Sequence, residues 1–108
     1  MDPSANKNYA IIKASENGHI DVVKLLLKDE RVDPSAYYNF AIRFASKNGH
    51  MDVVKLLLSD ERVDPSADNN YAIRYASKNG HTEVVKLLLS DKSVLAKIWA
   101  YPYDYHHV

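Results

Sequence analysis

Cysteine is missing from this 108-residue chain, and with it go disulfide staples, thiolate metal sites and a cysteine nucleophile. Net charge is missing too. Fourteen basic residues balance fourteen acidic ones, so no global field draws the molecule to nucleic acid or to an anionic membrane. Any electrostatic preference has to be local. Gly18, Gly49 and Gly80 are the only glycines, too widely separated to build a phosphate-cradling loop. No apolar run approaches the roughly 18 residues of a membrane span, and Met1-Asp2-Pro3-Ser4 lacks the basic and apolar regions of a secretory leader. An intracellular, cytoplasmic protein is the simplest reading, although such absences do not separate cytoplasm from nucleus.

Hydrophobic residues make up 46% of the chain and charged residues 26%, which suits a folded globular protein of one domain covering 1–108. Its dominant feature is self-similarity. Residues 2–32, 33–63 and 64–94 align without gaps, and 23 of 31 positions are identical between each unit and the next. A period of this size marks a stacked repeat architecture.

Each unit reads as helix, turn, helix. In the second, Asn39 precedes the stretch from Phe40 to Lys47 and is placed to cap it, while Asn48-Gly49 supplies a left-handed stop. A second, more hydrophobic helix follows from His50 to Ser59, with Asp52 near its positive end. Asp64-Pro65-Ser66 then turns the chain into the next unit. Helices of about ten residues are marginal alone, so the pairs must stack to bury their apolar stripes.

Comparison among units divides the first helix into two faces. Ala41, Ile42, Ala45 and Ser46 recur unchanged in all three, and their small side chains suit close helix packing. Phe40, Arg43, Phe44 and Lys47 form the other face, which is where the units differ.

Asn-Gly-His-Met-Asp-Val-Val-Lys-Leu-Leu-Leu at 48–58, present with small changes in every unit, resembles the second half of the ankyrin repeat. The resemblance covers residues 2–94. It implies an all-α solenoid of three stacked ankyrin-like helix-turn-helix repeats. Two departures stand out. The family's Thr-Pro-Leu-His opening is replaced by Tyr9-Ala10-Ile11-Ile12, Phe40-Ala41-Ile42-Arg43 and Tyr71-Ala72-Ile73-Arg74. The shortened period removes the β-hairpin finger, so tight turns are expected around Asn6-Lys7, Tyr37-Tyr38 and Asp68-Asn69. This Asp-Pro-Ser-Ala version is similar to units of long ankyrin arrays in amoebae and the giant viruses that infect them.

Chemistry other than binding finds little support. His19, His50 and His81 recur once per unit, and stacked units about 8–10 Å apart cannot bring them to one zinc at about 2 Å. They are expected to bond backbone at the turns. Serine, histidine and aspartate also belong to the repeated pattern, whereas a catalytic site needs one asymmetric arrangement. The chain is therefore read as no enzyme, with no cofactor, no metal and no small-molecule substrate.

The varying face remains. The resemblance makes it the concave surface that meets a protein partner, and the candidate residues are Tyr37, Tyr38, Arg43, Phe44, Lys47, Asp68, Asn69, Arg74, Tyr75 and Lys78. Aromatic residues with arginine are what binding hot spots favour. Two other functions compete: a structural fragment that self-associates through its end faces, and nucleic-acid binding by phosphate contact and base stacking. A monomer is expected. Residues 95–108 lie beyond the repeats and are read as a capping helix and tail: a short helix through Val94 to Ala100, then Pro102, the tyrosines 101, 103 and 105, and His106-His107.

Overall fold

The computed structural model describes residues 3–100. Among them are seven helices and no strand: α1 (Pro3–Glu16), α2 (Ile20–Leu27), α3 (Ala36–Lys47), α4 (Met51–Leu58), α5 (Ala67–Lys78), α6 (Thr82–Leu88) and α7 (Lys92–Ala100). The first helices α1, α3 and α5 pack side by side in one row, α2, α4 and α6 in a second, and α7 lies against α5. The result is an elongated stack, 43 × 22 × 20 Å.

The invariant face of the first helices forms the core. Ala41, Ile42, Ala45 and Ser46 are fully buried, and Val53, Val54 and Leu57 close over them from α4. Each first helix ends as its sequence predicts. Gly49 adopts φ +79°, and the amides of Gly49 and His50 donate back to the carbonyls of Ser46 and Ala45 at 3.2 and 2.9 Å. This is the Schellman stop that only glycine adopts without strain. It recurs at Gly18 and Gly80.

The glycines do more than turn the chain. A β-carbon on Gly18 would stand 2.6 Å from Nδ1 of His50, and one on Gly49 would stand 2.5 Å from Nδ1 of His81. The histidine of each following unit therefore sits in the space glycine leaves. His50 Nε2 lies 2.9 Å from the Glu16 carbonyl, which can only accept, so Nε2 carries the proton. Asn48 Nδ2 donates to the same carbonyl at 3.0 Å, and Asn79 Nδ2 to that of Lys47 at 2.9 Å. These bonds clip each unit to its predecessor.

The asparagines expected to cap the first helices do something else. Asn39 Oδ1 accepts the Asp64 amide at 2.8 Å, and Asn8 Oδ1 accepts that of Asp33 at 2.7 Å, so they hold the linker that leaves their unit. Asn70 donates to the Val94 carbonyl at 3.0 Å, but its Oδ1 is buried without a partner, because the Leu95 amide is used inside α7.

Where hairpin fingers would stand, two units carry a compact left-handed turn. Tyr37, Tyr38 and Asn39 lie at φ 55°, 56° and 60°, and Asp68, Asn69 and Asn70 at 57°, 53° and 58°. Right-handed helix begins after Asn39, in agreement with the predicted start at Phe40. The turn expected at Asn6-Lys7 is absent, since α1 runs unbroken from Pro3. The reason lies six residues on from Asn6. Arg43 donates from Nε to the Tyr38 carbonyl at 2.9 Å and from Nη2 to the Tyr37 carbonyl at 3.2 Å; Arg74 does the same for Asn69 and Asp68. The first unit has Ile12 at this position, which can donate nothing and is buried instead.

At the far end α7 includes the predicted helix, with Val94 buried and Ile98 packed against the core. Trp99 is exposed. Pro102, the tyrosines 101, 103 and 105, and His106-His107 lie outside the described residues.

Candidate partner-binding face

Helical spacing places Phe40, Phe44, Tyr71 and Tyr75 at i and i+4 on adjacent first helices, so their rings meet in one line. Phe40 stacks on Phe44 with centroids 4.0 Å apart, Phe44 meets Tyr71 at 5.5 Å, and Tyr71 stacks on Tyr75 at 4.2 Å. Rings at these separations attract beyond simple area burial. All four are half-buried.

Cations are threaded between the rings. The Arg43 guanidinium carbon lies 5.0 to 5.5 Å from the centroids of Phe40, Phe44 and Tyr71. Lys47 Nζ sits 5.4 Å from both Phe44 and Tyr75, one ring in each unit. Arg74 and Lys78 lie 5.7 Å from Tyr75. Attraction between a cation and a ring face holds these charges in place, with roughly 0.5–1 kcal/mol for each exposed contact.

The expected binding residues do not share one environment. Arg43 is committed to structure: its side chain is only 12% exposed, it secures two turn carbonyls, and it forms an ion pair with Asp68 at 3.6 Å. Phe44 and Tyr75 are rungs of the ring line. Tyr37 and Tyr38 project at the tip of the left-handed turn, 65% and 83% exposed. Lys78 is exposed, while Lys47 and Arg74 are half-buried. Asp68 and Asn69 form the equivalent tip of the third unit, where no aromatic residue stands. Phe40 and Tyr71 were left out of the expected set, yet without them the line has no continuity. Their i, i+4 spacing to Phe44 and Tyr75 was the signal that could have found them.

Neutrality at the scale of the whole chain hides a local separation of charge. Lys13 is paired with Glu16 at 2.7 Å, so the first unit contributes no free cation here. Among the described residues no carboxylate pairs with Lys47, Arg74 or Lys78. The acids instead crowd the linker edge. Hydrogen bonds from Arg31 hold the Asp29 carboxyl far below the usual carboxylate range, helped by Lys7 at 3.1 Å. Arg62 lowers Asp60 in the same way. Among the described residues no three histidine or acidic side chains come together to hold a metal, and none of the helices is long and apolar enough to cross a membrane.

The sequence model of one family, ankyrin repeats (3 copies), matches residues 11–98. No curated protein and no solved structure matches the chain.

Proposed function

The chain belongs to the ankyrin repeat family, whose members are in general protein-protein interaction modules, and on that premise we propose that it binds a partner protein through its concave face without catalysing a reaction. The observation that carries this reading is the continuous ring line from Phe40 to Tyr75, edged by cations and flanked by the exposed Tyr37 and Tyr38. A surface of rigid aromatic side chains with charges fixed around them offers large contact area at low entropic cost, as binding hot spots do.

Capture of partners from a cell lysate, followed by mass spectrometry, tests the assignment when the intact chain is compared with a Tyr37→Ala, Tyr38→Ala, Tyr75→Ala variant that keeps every charge. The variant is expected to lose the captured protein while its helical circular dichroism stays nearly unchanged. Capture retained at full strength would place the binding surface elsewhere.

A further inference from the structure

We infer that the partner presents to this face an extended acidic segment, with carboxylates spaced about three residues apart; the inference rests on the concave-face reading. Its basis is a carboxylate already seated on the ladder. Arg43, from the second unit, is met by Asp68 from the third at 3.6 Å. The arrangement shows how an acid docks beside the rings: the guanidinium is held by the turn carbonyls and the ring faces, and its remaining edge is offered to a carboxylate.

Arg74 repeats the same holding bonds, to the carbonyls of Asn69 and Asp68 at 2.9 and 3.3 Å. Among the described residues no acid takes the place that Asp68 has beside Arg43. Thirty-one residues after Asp68 the chain has Trp99, already inside α7, and no carboxylate among the described residues reaches Arg74. Lys47 and Lys78 likewise meet no carboxylate among the described residues, and both are held against Tyr75. Three cations fixed along one line, with no acid beside them among the described residues, favour a ligand that brings several.

Spacing sets the form of that ligand. Lys47 and Lys78 are equivalent residues of adjacent first helices, which pack about 8–10 Å apart. A chain in the extended polyproline II conformation rises about 3.1 Å per residue with three residues per turn, so every third side chain points the same way and meets the next rung about 9 Å on. Nucleic acid is the poorer fit. The ring faces that would stack bases are spent on one another and on the cations.

The test is fluorescence anisotropy with a labelled peptide of about twelve residues, long enough to span the three first helices, carrying glutamate at every third position and serine or glycine between. Its glutamine counterpart and an oligothymidylate of equal length serve as comparisons. The glutamate peptide is expected to bind, more weakly as salt rises, and the glutamine peptide not to bind. Lys47→Gln with Lys78→Gln should weaken binding about tenfold with unchanged circular dichroism. Asp68→Asn, which frees Arg43 and keeps a residue tolerant of positive φ, should tighten it about threefold. The inference is overturned if the glutamate peptide does not bind, if the glutamine peptide binds equally, if the double variant binds as the parent does, or if oligothymidylate binds more tightly. Each of these leaves the concave-face reading to the aromatic variant and its capture assay, which involve no change of charge.

Discussion

The middle unit and the two units beside it share most of their residues but not the same surroundings, and only the middle one uses everything it carries. Gly49 receives His81, while Gly80, with the same backbone angle, has no described residue within 4 Å of where a β-carbon would stand. Val53 is fully buried, whereas Val22, its equivalent in the first unit, is 45% exposed. Arg43 has its turn and its acid; Arg74 has the turn but no acid among the described residues; Ile12 has neither. A repeat residue thus acquires its role from the next unit as much as from its own, which is the physical meaning of a solenoid whose stability is shared between units and interfaces.

The largest test of that comparison is at the glycines. Gly80→Ala imposes only a left-handed conformation on alanine, at about 1–2 kcal/mol. Gly49→Ala adds displacement of the His81 ring, and the total is expected to reach about 2–4 kcal/mol. Urea denaturation of the two variants measures the difference. Equal losses would show that the close approach of histidine to glycine contributes nothing to cohesion between units.

Second is the arginine that separates the first unit from the others. Arg43→Ile places the first unit's residue in the second, removes the donors from the carbonyls of Tyr37 and Tyr38, and leaves Asp68 without its ion pair. Hydrogen bonds to a charged group of this burial suggest a loss of about 2 kcal/mol. In a domain of this size that lowers the melting temperature by about 10 °C. A melting temperature within a degree or two of the parent would mean that the turn holds itself.

These two tests mark the limit of what was legible in sequence. The period, the helix start after Asn39 and the glycine stops could be read because they depend on residues within one unit: Phe40 onward is apolar at helical spacing, and Asn-Gly demands a left-handed residue. The packing face could be read because Ala41, Ile42, Ala45 and Ser46 recur in all three units while Arg43, Phe44 and Lys47 do not, and the four recurring residues are buried. What could not be read depends on partners about thirty residues away. Asn39 looks like a helix cap in sequence, and only the returning linker shows that it holds the Asp64 amide instead. The same holds for the seat of His50 on Gly18. The turn itself was expected, but Tyr-Tyr-Asn carries no sign of left-handed backbone. Nothing before Arg43 says that Asn6-Lys7-Asn8 should differ from it.

The smallest expected effect is also the one that joins stability to function. Tyrosine in left-handed backbone is unfavourable, whereas asparagine and aspartate tolerate it through their short polar side chains. The third unit uses Asp68-Asn69 where the second has Tyr37-Tyr38, in the same conformation. Since both tyrosines are mostly exposed, exchanging them removes little packing. Tyr37→Asp with Tyr38→Asn is therefore expected to raise stability by up to about 1 kcal/mol, read as a rise in melting temperature of a few degrees. Strain kept at an exposed position has its natural explanation in binding, so the same exchange should weaken partner capture. A variant that is more stable and binds less well would show the tyrosines to be retained for contact. One that is more stable and binds equally would confine the contact surface to the ring line and its lysines.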